Sequence, residues 1–430
     1  MDNQQKLIKN KVISQTMKLT RNKRKNQICK VYKVKIDQSA LSSTQKEQLT
    51  RMFLEAKWLY NDILNWSNLS ENNSPFNYSI SKTVMVKIPI TGQFEERELT
   101  TLHSQMKQEV QKQICSNIKT LSTLKKKGLQ KPGKLKFKSE ITKIHIKQLQ
   151  KNFIRRGKRF VKIPNISGEV RVNGLKQIPD NIDFACAKLL NTPKGYYLSI
   201  TTYINKDQVS KKSVIKETLG IDFGCQTNFT TSNGEKITAI VEESERLKRL
   251  QRKLARQVQG SNNYKRTCHL IRVEYQNLFN IKNDLANKII HNFLQYETVV
   301  IQDEQLHNWH KNGHGRKVQH SILGRVKSRL KKKENVIMLN KYLPTTKLCT
   351  NCGQIHDEMN LYDRQFICSC GVKEDRDVHS AKTMIWLNNV GVGRTNLKRV
   401  ELEALLAMKF SSSKQLSTMK HEDSTPLGWD

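Results

Sequence analysis

The sequence predicts an α+β chain of several domains, and three observations carry that prediction. The first 203 residues alternate helical spacing with short β-rich segments, whereas from Glu217 onward buried-type strands are separated by basic helices. Four of the nine cysteines crowd into residues 349–370, where they read as a small metal-held insertion. At 430 residues the chain has room for two to four domains and at least one sizeable core.

The elements follow in order. Residues 1–36 are basic and polar and end in KVYKVKI, whose alternation predicts a strand. A helix comes next, with Thr44 to Glu47 as its capping box and Leu49, Met52, Phe53, Ala56, Leu59, Tyr60 and Ile63 at helical spacing. Residues 70–95 read as loop, and 98–123 as a second helical stretch. Between 116 and 160 there are fifteen Lys and Arg and one acid, Glu140. The Gly and Pro in KKKGLQKPGKLKFKS mark a loop feeding short strands, with Lys134, Lys136 and Lys138 placed to follow a phosphate backbone. From 141 to 203, turns separate segments such as RFVKIP and GYYLSITTYI, which predict a small barrel or sandwich.

ETLGIDFGCQTNFTTSNGEKITAI reads as strand, turn and strand. A basic helix follows, with Leu247, Leu250, Leu254 and Val258 on one face and Gly260 as its C-cap. A longer helix is expected over about 268–295, then the strand ETVVIQDE, a basic helix over 321–333 and the strand NVIML. After the cysteine pairs comes a helix in DVHSAKTMIWLNNVG, and the polar tail from 396 predicts disorder.

The formal charge is +38, from 76 Lys and Arg against 38 Asp and Glu. Self-repulsion on that scale opposes compaction, so a polyanion partner held through many phosphate contacts is its simplest reason. Arg249 and Arg252 on the first basic helix are candidate contacts. No apolar run approaches the ~18 residues needed to span a bilayer, and the N-terminus lacks a signal peptide's apolar stretch. The expected location is cytoplasmic, without a membrane.

Cys349, Cys352, Cys368 and Cys370 give C-x2-C-x15-C-x-C, and four thiolates at that spacing match a closed, tetrahedral, structural Zn²⁺ site. His356 is the alternative ligand. Three acids carry a different chemistry. Asp222 sits in the alternating LGIDFG, Glu304 ends VVIQDE, and Asp377 opens a helix. Alone, each has a bland reading as an edge residue or a cap. Together, on a chain built for polyanions, they are a candidate catalytic set for two Mg²⁺ ions that activate water and stabilise a leaving oxygen in phosphodiester cleavage.

LGIDFG, VVIQDE, CTNCG…CSCG and DRDVHSA, in that order with a helical insertion after the first, resemble the split RuvC nuclease domain of TnpB. TnpB is the transposon-encoded RNA-guided endonuclease to which the miniature type V CRISPR effectors are similar. FLEAKWLYNDIL resembles the family's first recognition-lobe helix, and GKLKFKS with the β-rich stretch resembles its wedge domain.

The resemblance implies wedge residues 1–36 and 126–212 forming a β-barrel, and a helical recognition lobe over 37–125. It implies an RNase H-like RuvC domain over 213–347 and 374–395, interrupted by a zinc knuckle at 348–373, with the tail from 396 to 430. Carried over by position, Asp222 and Asp377 match the first and last catalytic aspartates, and Glu304 the middle glutamate. Many relatives have Glu followed by Asp-Leu, whereas here the order is Asp303-Glu304; a one-residue slip on a strand reverses the face, so only one of the two would meet the metals. Other departures are His379 where asparagine is common and PTTKLC where TSQ-C is common. Arg376, flanked by acids, is expected either to be held against them or to meet the scissile phosphate.

The implied function is RNA-guided DNA cleavage, with guide RNA and double- and single-stranded target DNA as partners and a homodimer on one guide RNA as a further assembly to look for. The alternatives are a guided binder that no longer cuts, a protein-only zinc-ribbon DNA-binding or recombination factor, and an unguided resolvase-like nuclease.

Overall fold

The computed structural model describes residues 3–391 except 71, 89–90, 129–132, 134, 148–153, 158, 181, 209–213, 310–312 and 361, together with 404. The chain forms two compact units, Met1–Ser210 and Lys211–Asp430, each of mixed α and β structure. Among the described residues no helix is long and apolar enough to cross a membrane.

In the first unit, α1 (Asn3–Lys25) leads into β1 (Gln27–Ile36) and α2 (Ser43–Leu69). The hairpin β2 (Thr83–Lys87) and β3 (Phe94–Glu98) precedes α3 (Ser104–Lys126). Six strands complete it: β4 (Lys143–Ile146), β5 (Ile154–Arg156), β6 (Phe160–Lys162), β7 (Val170–Asn173), β8 (Asp183–Thr192) and β9 (Gly195–Asn205). They join β1 in one antiparallel sheet of order β4-β8-β9-β1-β7-β6-β5. Leu49, Met52, Leu59 and Ile63, the apolar stripe of α2, are buried with Val34, Ile36, Leu198 and Ile200 of the sheet.

Several expectations need correcting. Residues 3–25 are helical, although no apolar face announces it. The capping box of α2 is Ser42 with Gln45, two residues ahead of the Thr44–Glu47 pair. Gln45 wins because its amide also bonds the Ser167 and Glu169 carbonyls. The loop expected at 70–95 contains β2 and the start of β3, whose mostly exposed residues give no buried-face signal.

Glu55 shows how the helices are joined. Its carboxylate lies buried on α2 and accepts from the backbone N–H groups of Thr100 (3.1 Å), Thr101 (3.0 Å) and Leu102 (2.7 Å), while Arg51 pairs with it at 2.9 Å. Those N–H groups have no intrahelical partner at the approach to α3, so Glu55 takes the place water would otherwise fill. Glu55→Ala strands the buried Leu102 N–H, removes the acceptor of Thr100 and Thr101, and is expected to cost about 3 kcal/mol, read by denaturant unfolding. An unchanged midpoint would show that the turn relaxes to reach water.

The second unit is a five-stranded sheet of order β12-β11-β10-β13-β14, covered on both faces. Its strands are β10 (Ile215–Phe223), β11 (Phe229–Thr231), β12 (Lys236–Ile237), β13 (Tyr296–Gln302) and β14 (Val336–Leu339). The first three form an antiparallel meander, whereas β10, β13 and β14 run parallel. Between β12 and β13 lie α4 (Glu245–Ala255) and α5 (Asn262–Phe293). After β13 come α6 (Leu306–Trp309), α7 (Gly315–His320) and α8 (Leu323–Leu330). The small hairpin β15 (Gln365–Ile367) and β16 (Lys373–Asp375) then leads directly into α9 (Arg376–Asn389).

Alternation along β10 decides the layering. Leu219, Ile221 and Phe223 face a core with Ile289 and Phe293 of α5 and Val326 and Leu330 of α8. Val300 of β13 points the other way, to Met384 and Leu387 of α9. Gly220, on that second face, carries no Cβ, and α9 uses the space. A Cβ there would overlap the Ala381 carbonyl and lie 3.1 Å from Ile385.

α4 stops at Ala255, so Val258, which is 79% exposed, and Gly260 lie beyond it. α5 begins at Asn262 because Ser261 caps it, earlier than its apolar spacing indicates. The basic stretch 321–333 is helical only over Leu323–Leu330. β13 ends at Gln302, so Asp303 and Glu304 lie past the strand and the face rule does not govern them. The tail from 396 falls outside the described residues apart from 404.

Candidate active site

β10 and β13 run parallel with Ile221 opposite Ile301, so residues leaving their C-terminal ends emerge side by side. Asp222 is near the end of β10 on the face turned to α9, and Glu304 lies two residues past β13. α9 brings Asp377 in its first turn. Some of Asp222 still meets solvent, yet so much protein surrounds its carboxyl that lost hydration is the first cause pushing its pKa up to about 8. The negative charges of Asp377 and then Glu304 push in the same direction, while Ser380 and Arg376 oppose them. Burial also raises the Glu304 carboxyl. Two acids from separate elements thus act on the Asp222 carboxyl.

Their neighbours separate the site acids from the bystanders. Asp303 turns to Lys327, with its oxygen 2.8 Å from the ammonium, and that hydrogen bond is the first cause holding its carboxyl below the usual range. Lys327 also donates to the Glu304 carbonyl, which anchors the chain as it leaves β13. Asp375 is the helix cap: its carboxylate accepts from the N–H groups of Asp377 (3.1 Å) and Val378 (3.2 Å), and Lys236 pairs with it at 2.6 Å. Asp377 is therefore released from capping. Arg376 is held against Asp377, 3.2 Å from its carboxylate.

A buried polar chain supports Asp222 from behind. The Ser380 hydroxyl lies 3.2 Å from the Asp222 carboxyl and 3.1 Å from Thr345 Oγ1. Thr345 donates to Gln302 Oε1 at 2.9 Å, and the Gln302 amide donates to the Leu343 and Asn340 carbonyls. The sequence reading missed Ser380, Thr345 and Gln302. A polar Gln closing the apolar run VVIQ was the only signal available.

The four cysteines meet. Their sulfurs all lie within 4.8 Å of one another, and Cys349–Cys370 and Cys352–Cys368 approach to 3.5 Å. Zinc–sulfur bonds of about 2.3 Å imply tetrahedral edges of about 3.8 Å, so the cluster fits Zn²⁺. Gly353 (φ 80°) and Gly371 (φ 93°) make the left-handed turns that close the two knuckles. Burial opposes ionisation of Cys368, but the Cys370 N–H, His356 and the neighbouring thiols outweigh it and bring its pKa down to about 6. Among the described residues this is the one group of three or more His, Cys, Asp or Glu whose ligand atoms lie within that distance, so the three acids are more widely spaced.

The basic candidates divide. Lys134 lies outside the described residues, and Lys136 is exposed. Lys138 is half-buried with its ammonium 4.1 Å from the Tyr60 ring centroid, while its backbone is tied to Asn61. Arg249 and Arg252 line an open groove of about 510 Å³ with Lys253 and Arg256. The spacing 249, 252, 253, 256 is one helix face and was legible.

Residues 324–384 match the family model "Cas12f1-like, TNB domain", a span that runs from α8 through the four cysteines into α9. A curated protein of Streptomyces pristinaespiralis named "Putative RNA-guided DNA endonuclease" is 28% identical over 190 residues, which are 42% of this chain and 47% of that protein. The chain thus matches about half the length of that relative. A cryo-EM structure of a Cas12f1–sgRNA–target DNA complex aligns over 84% of this chain and 99% of that chain, at 10% identity and a TM-score of 0.45. The ordered motifs, the family model and the curated relative agree: this chain is similar to Cas12f1-like proteins over residues 324–384 and to an RNA-guided DNA endonuclease over about half of that relative's length.

Proposed function

We propose that the protein is an RNA-guided DNA endonuclease with one carboxylate site, formed by Asp222, Glu304 and Asp377 on an RNase H-like (RuvC) sheet. The observation that carries the reading is the action of Asp377 and Glu304 on the buried Asp222 carboxyl. Burial, Asp377 and Glu304 together hold Asp222 far from its ordinary carboxylate range. The relative's name and the family model support the same reading.

The donor set fits Mg²⁺. It is all oxygen, the charges of Asp377 and Glu304 oppose ionisation of Asp222, and the Arg376 guanidinium favours it. Asp222, Glu304 and Asp377 would hold two ions. When bound, such a pair supplies an activated water and stabilises the leaving oxygen of a phosphodiester. Ser380 fixes the Asp222 carboxyl, the Asp375 cap fixes the first turn of α9, and Lys327 fixes the backbone at Glu304. Arg376 balances charge at Asp377 until phosphate enters. The cysteine knuckle holds structure through Zn²⁺. We assign the antiparallel sheet to a wedge and α2 and α3 to a recognition lobe that grip guide RNA by shape and backbone. The exposed Arg249 and Arg252 face is assigned to nucleic-acid backbone, with Lys136 a further contact.

The test is to purify the protein expressed with its native flanking DNA and sequence the RNA that accompanies it. A uniform scaffold joined to a guide segment is the expected result. Heterogeneous RNA that washes off with salt would move the reading to direct DNA binding.

A further inference from the structure

We infer that His379 couples the cysteine knuckle to the carboxylate site, so that the knuckle sets divalent-ion affinity at Asp222, Glu304 and Asp377; this rests on the metal-site reading above. His379 stands on α9 and is 1% exposed, yet almost everything that grips it comes from the knuckle region. Its Nε2 donates to the Leu348 carbonyl at 2.8 Å, and Leu348 immediately precedes Cys349. Its Nδ1 meets the Glu374 carboxylate of β16 at 2.7 Å, and Lys382 holds that carboxylate from the other side at 2.5 Å. The ring stacks on Phe366 of β15, with centroids 3.6 Å apart and planes 8° apart. Phe366 packs in one small core with Cys349 and Cys368.

Two polar bonds and one stacked face fix the rotation of the first turns of α9. That turn presents Asp377 two residues before His379 and Ser380 one residue after it, and Ser380 bonds Asp222. A slackened grip on His379 therefore moves two supports of the carboxylate site together. Groups behind metal ligands commonly alter metal affinity by 10–100-fold when replaced.

The test titrates Mn²⁺ into the full-length, zinc-loaded protein by electron paramagnetic resonance, without nucleic acid, and measures zinc content in parallel. His379→Phe keeps the stacked ring and its volume but loses the bonds to Leu348 and Glu374, together with a longer 3.4 Å contact to Thr383 on α9 itself. Glu374→Gln changes the partner on the knuckle's own strand and leaves α9 intact. The expected result is Mn²⁺ affinity weakened about tenfold or more in at least one variant that keeps its zinc and unfolds cooperatively. If both variants titrate within twofold of wild type, while Asp222→Ala abolishes binding, the coupling is wrong and the metal site stands. If wild type binds no Mn²⁺, or Asp222→Ala binds it as well as wild type does, the metal-site reading falls and the coupling falls with it.

Discussion

Asp222→Ala and Asp377→Ala are each expected to lower DNA cleavage by at least about 10³-fold, roughly 4 kcal/mol of barrier, with guide and target binding held within twofold. Both residues are partly buried and neither carries a fold-defining contact. Asp377 is freed from capping by Asp375, and the Ser380 hydroxyl that Asp222 releases keeps Thr345 as a partner. Losing either acid should therefore remove chemistry and leave the sheet standing. Asp303→Ala is the control, because its carboxylate is engaged with Lys327 and does not figure among the causes acting on Asp222. It should keep cleavage within a few-fold of wild type. Cleavage lost in Asp303→Ala and kept in Glu304→Ala would reverse the assignment of the middle acid.

Gly220→Ala should damage the site without touching an acid. The added methyl meets the Ala381 carbonyl, which is helix backbone and cannot swing aside as a side-chain tip would. α9 must lift from β10 or β10 must bend. Overpacking of this kind costs roughly 1–3 kcal/mol in stability. The cost in rate is larger, because α9 carries Asp377 and Ser380 to Asp222, and misplacement by about 1 Å can cost 10²-fold. Thermal unfolding and single-turnover cleavage on the same preparation check both. A variant with wild-type melting and wild-type rate would show that α9 has slack over β10.

The site was more legible in the sequence than the scaffold that supports it. Asp222 was readable because Leu219, Ile221 and Phe223 alternate around it, and the cysteines because their spacing is a chemical signature. Glu304 was named as the acid ending VVIQDE and by position; the face rule meant to exclude one of Asp303 and Glu304 does not apply, since β13 ends before both, and what distinguishes them is Lys327, brought from α8 by tertiary packing. The cap of α9 could not be assigned among neighbouring aspartates without backbone geometry. His379 was noted only as a departure from asparagine, because Leu348, Phe366 and Glu374 are remote in sequence and meet it only through the knuckle's fold. α1 went unseen for another reason. From residue 10 onward its described side chains are almost all exposed, so no apolar periodicity exists to be read. The β2–β3 hairpin hid likewise, since FEERE carries no buried residue.

Guided cleavage is measured most directly by joining the scaffold RNA found with the protein to a guide of new sequence and mapping where DNA is cut. The expected result is Mg²⁺-dependent cleavage that moves with the guide, disappears in Asp222→Ala and Asp377→Ala, and leaves unmatched DNA intact. Cleavage at positions indifferent to the guide, or undiminished when RNA is withheld, would contradict it.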